Sequence, residues 1–258
     1  MGKIIAILGP TGVGKTDLSI KLAKELDAEI INCDSMQIYK EFSIGVAKIT
    51  ENQMQGVPHH LLDIRSVTDH YNAYDYQSDG RKIIEELQNK NKNIIIVGGT
   101  GLYLKALLYN YSFNEEKDES KRIYDFTLVA LSRDREELYS LINNRVDQMM
   151  DAGLLNEVKA LHEKKLFTRA IRTAIGYKEL YDYLNGIVTL EEAIENIKLN
   201  SRHYAKRQYT FFNHQFDDIT WYDVTKNNTE EIINQILDKE WFLWITKEQK
   251  LLKHQDLF

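Results

Sequence analysis

A single cysteine among 258 residues leaves no disulfide to form within the chain, and usage that sparse fits a reducing interior such as the cytosol. Only two prolines occur, and neither an internal repeat nor a low-complexity linker breaks the sequence. No apolar run is long enough to span a bilayer. Met1-Gly2-Lys3 passes straight into a strand-like run, with no basic, apolar and small-residue leader. The expectation is a soluble, cytoplasmic protein, and a monomer. Positive charge is also in deficit: 33 Lys and Arg face 39 Asp and Glu for a net charge of -6, which argues against broad nonspecific binding to nucleic acid. A local basic groove remains compatible with that balance, because association responds to the local field. Against these absences stands 43% hydrophobic residues, enough to fill the interior of one domain over residues 1–258.

The most informative stretch is Gly9-Pro10-Thr11-Gly12-Val13-Gly14-Lys15-Thr16, which follows the apolar run Ile4 to Leu8 and opens into a helical pattern at Asp17 to Leu26. Strand, glycine loop and helix in that order are the setting of a phosphate-binding P-loop. Its glycines free successive backbone N–H groups to turn onto an anion, Lys15 adds a point charge, Thr16 can offer a hydroxyl to Mg²⁺, and the helix presents its positive end. Phosphate binding follows; the reaction does not, since many chemistries use this cradle.

Ala28 to Asn32 reads as a second strand ending at Cys33-Asp34-Ser35. Met36 to Lys48 reads as turn, short helix and loop, and Gly56 to Ile64 as a tight pre-strand turn followed by an apolar run. Ala73 to Gln88 has helical spacing with Tyr76, Ile83, Ile84 and Leu87 on one side. Asn93 to Val97 reads as a central strand running into Gly98-Gly99-Thr100-Gly101, with Leu102 to Tyr109 helical. Residues 110–125 are a polar excursion, and Phe126 to Leu131 reads as a buried strand. Asp134 with Glu137 predicts a capped helix to about Ala152, stopped by Gly153. Helices follow over Leu154 to Lys164, Tyr177 to Leu184 and, from the Thr189 and Glu192 pair, as far as His214. Ile219 to Tyr222 reads as a short strand and Glu230 to Leu252 as a helix. The pattern is α/β: a P-loop NTPase-like parallel sheet flanked by helices, with a helical C-terminal part.

Ligands of open α/β sheets gather beyond the carboxyl ends of the strands, so Asp34 and the P-loop should share one crevice. From its residue type Asp34 could be a general base, a magnesium ligand or a structural cap. Asp34-Ser35-Met36-Gln37 supplies a carboxylate, a hydroxyl and an amide, a set suited to the edge of a purine. Cys33 reads as a small buried residue, and His59 and His60 as hydrogen-bonded and packed rather than metal-ligating, since no partner lies at ligand spacing. Arg202 to Arg207, with aromatics interleaved, is either a solvated helix face or a nucleic-acid groove.

The ordered set GPTGVGKT, NCDSMQIY, VPHHLLDI, IIIVGGTGLYLKAL, RVDQMMDAGLLNEV, AIGYKEL and RHYAKRQYTFF closely resembles the tRNA dimethylallyltransferase (tRNA isopentenyltransferase) family, across residues 4 to about 223. The resemblance implies transfer of a dimethylallyl group from its diphosphate to the exocyclic N6 amine of the adenosine 3′ of the anticodon in tRNA. It implies a diphosphate site on Gly9, Pro10, Thr11, Gly12, Val13, Gly14, Lys15 and Thr16, with Mg²⁺ at Thr16. The catalytic set it implies is Asp34, Thr11, Lys15 and Thr100, with Asp34 as general base. Its tRNA contacts are Asp34, Ser35, Met36, Gln37 and Thr100, then Lys206, Arg207 and Gln208 of the AKRQ box, and Arg122 as a remnant contact.

Two departures stand out. Between Leu108 and Phe126 the family carries a helical insertion that grips the anticodon stem-loop, and here 110–125 is far too short to hold it. The family's LYxRI pattern reads Leu138-Tyr139-Ser140-Leu141-Ile142, with Leu141 where arginine is expected. The chemical centre is complete and the tRNA grip reduced, so the alternatives are a free adenine-nucleotide acceptor, a small-molecule P-loop kinase, or a non-catalytic RNA-binding paralogue.

Overall fold

In the computed structural model, residues 2–113 and 121–239 are described. Four apolar runs form the interior of a parallel sheet: β1 (Ile4–Leu8), β2 (Ala28–Asn32), β4 (Asn93–Val97) and β5 (Thr127–Ser132). β3 (His59–His60) and β6 (Thr220–Asp223) close the two edges, giving the order β3-β2-β4-β1-β5-β6. Continuous burial of β1 follows from cover on both faces, as parallel sheets require. Its residues alternate between two cores: Ile4, Ala6 and Leu8 pack with Tyr76, Leu104 and Phe212, whereas Ile5 and Ile7 pack with Leu18, Leu22 and Ile232.

The covering helices are α1 (Lys15–Leu26), α3 (Ala73–Asn89), α4 (Gly101–Leu108), α5 (Arg135–Asp151) and α9 (Leu190–Gln215), while the short α2 (Glu51–Met54) contributes no buried residue. Between α5 and α9, α6 (Leu154–Glu163), α7 (Arg169–Thr173) and α8 (Tyr177–Leu184) form a helical layer with its own core. That core includes Ile38 and Phe42 from the segment after β2, so the helical layer reaches over the crevice. Residues 229–239 are helical, and the remainder of the helix expected to Leu252 lies outside the described residues, as does the middle of the 110–125 excursion.

Several expectations are modified. Met36 to Lys48 contains turns and no helix, and the apolar run Leu61 to Ile64 is not a strand, because β3 is only two residues long. The Thr189 and Glu192 capping box forms in full. Asp134 caps α5 through the N–H groups of Glu136 and Glu137, but Glu137 does not return the bond; its carboxylate takes the Arg133 guanidinium instead.

Candidate functional site

The P-loop joins β1 to α1 at the carboxyl end of the sheet, with Gly9, Gly12 and Gly14 at φ 144, 79 and 112. At Gly9 the need for glycine is steric as well as conformational: a Cβ would lie 2.8 Å from the Leu131 carbonyl oxygen. Val13 is buried in the core, which fixes the loop to the sheet. Lys15 bends back over its own loop and donates to the carbonyls of Gly9 and Pro10, each at 2.9 Å.

Burial pulls the Lys15 ammonium down to about 8; the Asp34 carboxylate opposes the fall and the Arg145 charge adds to it. The folded chain therefore binds this proton less tightly than the unfolded chain, and stability rises as pH climbs from about 8 toward the ordinary lysine value. Lys15→Met removes the titration. The difference in melting temperature between wild type and this variant should shift in favour of wild type as pH passes through about 8, and binding of a diphosphate to the loop should be lost at every pH. Differential scanning fluorimetry across that range reads the first effect and calorimetric titration the second.

Asp34 stands at the end of β2. Its Oδ1 accepts from Met36 N–H at 2.8 Å, a turn that aims the segment away from the sheet. Thr100 sits behind this segment: its Oγ1 accepts from Ser35 N–H at 3.1 Å and lies 3.3 Å from Ser35 Oγ. Its backbone N–H donates to Cys33 C=O. Cys33 is fully buried, and burial pushes its thiol up to about 12, so it stays protonated. His59 Nδ1 meets the Val57 carbonyl and His60 Nε2 meets the Glu29 carboxylate.

A cavity of about 720 Å³ runs over the P-loop, lined by Thr11, Lys15, Thr16, Gln37, Ile44 and Gln148 among others. A second, of about 390 Å³, opens toward the helical layer, lined by Ser35, Met36, Thr173, Lys178, Ser201 and Arg207 among others. Thr11, Asp34, Val46, Arg145, Met149 and Tyr204 line both. The two spaces therefore meet at one carboxylate, one guanidinium, two hydroxyls and the apolar side chains of Val46 and Met149, while Gly12, Gly14, Lys15 and Thr16 of the phosphate cradle line only the larger.

Arg145, on α5, carries weight that its motif alone did not suggest. Its guanidinium is pushed down by burial and held up by Asp34. The signal was present in the sequence: Arg145 lies seven residues after Leu138 on the stripe formed by Leu138, Ile142 and Val146, which are buried. A cation on a buried stripe needs an anion, and the P-loop cavity is where one would sit. Lys178, quoted in the AIGYKEL motif without a role, and Thr173, which no quoted motif contains, flank the AIGY turn and line the second cavity.

Gln208 is 5% exposed, and its amide is engaged inside the protein. Oε1 accepts from Thr11 N–H at 2.9 Å and Nε2 donates to Gly99 C=O at 3.0 Å, clipping the P-loop to the second glycine turn. This differs from the RNA contact expected of it: the side chain points into the fold, away from any polyanion on the surface. Gln208→Leu keeps the volume and leaves a buried N–H and C=O without partners, so a stability loss of about 1–3 kcal/mol is expected in urea unfolding. Gln37 also differs, since its Nε2 donates to Val46 C=O at 3.2 Å on the P-loop side of the crevice. Arg122 is far from the crevice. It donates to Phe126 C=O and pairs with Asp218 just before β5 begins, at the amino ends of the strands. Lys206 is exposed on the outer groove of α9, beside His203, Thr210 and His214, and Arg207 joins that groove to the second cavity.

A P-loop on an inner strand of a parallel sheet, facing a carboxylate across a crevice roofed by helices, defines a P-loop NTPase-like α/β protein. The profile of the IPP transferase family matches residues 37–123 and 112–215. The tRNA dimethylallyltransferase of Bacillus subtilis is 42% identical over 286 aligned residues, covering 86% of this chain and 91% of that protein. The full-length tRNA isopentenylpyrophosphate transferase of Bacillus halodurans superposes with a TM-score of 0.88 at 34% identity, covering 98% of this chain and 100% of that one. A eukaryotic dimethylallyltransferase acting on tRNA superposes with a TM-score of 0.81 at 25% identity, covering 93% and 80%. The chain belongs to the IPP transferase family. The 286-residue alignment is longer than the 258-residue chain itself, so the Bacillus subtilis enzyme carries residues with no counterpart here. The two segments of the family match meet at 112–123.

Proposed function

We propose that this protein is a tRNA dimethylallyltransferase that moves the prenyl group of dimethylallyl diphosphate onto N6 of an adenosine in the anticodon loop of tRNA. The observation that carries the reading is the meeting of two cavities at Asp34, one over a phosphate cradle and one open to the helical layer. An acceptor and a donor entering from opposite sides would react where they meet.

In this reading the diphosphate lies on the N–H groups of the loop from Gly9 to Thr16, and Lys15 leaves its own carbonyl partners to take a phosphate oxygen. Arg145 faces the same charge from α5. The residues fit a magnesium ion: among the described residues no cluster of His, Cys, Asp or Glu would cage a metal, so a cation here would be held by Thr16 together with the oxygens of the ligand. Such an ion supplies neutralising charge to the leaving diphosphate.

Breaking the allylic C–O bond leaves charge on the diphosphate, and fixed N–H groups and cations aimed at it lower the barrier. The adenine amine is a weak nucleophile, and Asp34 takes its proton as the C–N bond forms. The target base leaves its stack to reach the carboxylate, at a cost of a few kcal/mol. Thr11, in both cavities, is a contact for donor or acceptor, and Thr100 sets the position of Ser35. Lys206 and Arg207 supply phosphate contacts along the outer face of α9. The 110–125 segment is read as the shortened form of an insertion that larger relatives use to hold RNA. The protein is expected in the cytoplasm, where its RNA substrate is.

The deciding assay offers dimethylallyl diphosphate and Mg²⁺ with unmodified tRNA, AMP and ATP in parallel, and weighs each acceptor by mass spectrometry. A gain of one dimethylallyl group on tRNA supports the reading. A gain on AMP or ATP alone moves the acceptor to a free nucleotide, and phosphoryl transfer from ATP removes the reading altogether.

A further inference from the structure

The turn at residues 43–47 is the common wall of the two cavities: Ser43, Ile44, Val46 and Ala47 line the one over the P-loop, and Gly45 and Val46 line the other. This wall is gripped from the helical layer. Glu157, on α6, accepts through Oε2 from the backbone N–H groups of Ser43 at 3.2 Å and Ile44 at 2.9 Å, and through Oε1 from that of Gly45 at 3.3 Å. The Tyr177 hydroxyl of α8 donates to the same Oε1, and its ring stacks on Phe42 with centroids 4.0 Å apart. Burial and the Glu157 carboxylate push the Tyr177 phenol far up, so it stays a donor. Three successive N–H groups converging on one carboxylate form an anion nest, filled here by the protein's own side chain. The turn it holds is strained, with Ala47 in the left-handed region at φ 43. It is also closely fitted, since a Cβ on Gly45 would fall 2.5 Å from the Tyr177 ring.

We propose that Glu157 is a positioning residue for prenyl transfer: it latches the 43–47 turn as the wall that keeps water from the allyl group while the C–O bond breaks. The inference rests on the function proposed above. In the productive reaction the C–O bond of dimethylallyl diphosphate breaks, diphosphate leaves with the bonding pair, the adenine N6 lone pair forms the C–N bond, and the N6 proton goes to Asp34. With the wall loosened, water takes the place of N6. Its lone pair forms a C–O bond, it loses a proton to solvent, and the products are dimethylallyl alcohol and diphosphate, with no change of oxidation state.

The test uses the full chain with dimethylallyl diphosphate, Mg²⁺ and unmodified tRNA, and counts dimethylallyl alcohol released against prenyl groups transferred. Glu157→Ala removes every latch contact. Glu157→Gln keeps the volume and one carbonyl acceptor. Tyr177→Phe removes a single donor and keeps the stacked ring. In Glu157→Ala the alcohol-to-transfer ratio is expected to rise about tenfold, the donor KM to rise and kcat for transfer to fall about 10²-fold, the scale of a misplacement remote from the chemistry. Glu157→Gln and Tyr177→Phe should fall between it and wild type, and they decide the matter if the alanine variant does not fold. A folded Gln or Phe variant with the wild-type ratio and donor KM overturns the latch alone. A wild-type protein that never consumes the prenyl donor removes the functional reading, and the latch with it.

Discussion

Asp34→Asn is expected to bind dimethylallyl diphosphate with little change and to transfer it roughly 10² to 10⁴ times more slowly, the range of a single acid-base group. The substitution is suited to the question because it preserves geometry. The bond that shapes this segment runs from Met36 N–H to Oδ1, and an asparagine carbonyl can accept it equally well. What is lost is the basicity of the group facing both cavities, together with the negative charge that Lys15 and Arg145 face. Single-turnover transfer to tRNA, read beside a calorimetric titration with the donor, separates the two effects. Turnover at the wild-type rate would take Asp34 out of the chemistry and leave it a turn-forming residue.

Arg145→Gln should differ in kind. Its guanidinium is buried beside the same cavity junction, faces Asp34, and stands near enough to Lys15 to lower its proton affinity. Asp34 faces both cations, and one carboxylate leaves the pair with a net positive charge for the diphosphate, so removing the guanidinium weakens donor binding as well as slowing the step in which diphosphate charge develops. Loss of one such preorganised group costs about 10² to 10³ in rate. A second signature should accompany it: without the neighbouring guanidinium the Lys15 ammonium is relieved of a repulsion and its titration moves up from about 8. Arg145→Lys restores the charge without the planar fork, and partial recovery is expected. Unchanged donor affinity in Arg145→Gln would assign the residue to Asp34 rather than to the diphosphate.

Much of this was legible in the residues. The apolar runs of β1, β2, β4 and β5 declared a parallel sheet because burial on both faces leaves no alternation to hide, and the glycine loop declared its ligand because its spacing is fixed by backbone contact with phosphate. The place of Asp34 at the crevice followed from topology, since strand ends gather on one side, while its role as a base came only with the family resemblance. What was not legible was direction. Gln208 follows two cations in the AKRQ box and reads as one of a group, yet helical rotation turns it inward to the P-loop while Lys206 and Arg207 turn out. Arg122 lay in the stretch where an RNA contact was expected, but that stretch descends to the far end of the sheet before β5. The 43–47 turn has no periodicity to betray it, because its shape comes from a carboxylate more than a hundred residues away.

The arrangement along α9 has a bearing on how the two substrates sense each other. Adjacent residues of one 26-residue rod carry an inward fastening on the P-loop and outward charges that the proposed function gives to RNA phosphates. A pull from outside is delivered to the loop through a single peptide step, with no hinge to absorb it. Occupancy on either side should then tune the other by the same factor, and an RNA already seated would make the loop a better or worse host for the small molecule to the extent that the small molecule does so for the RNA.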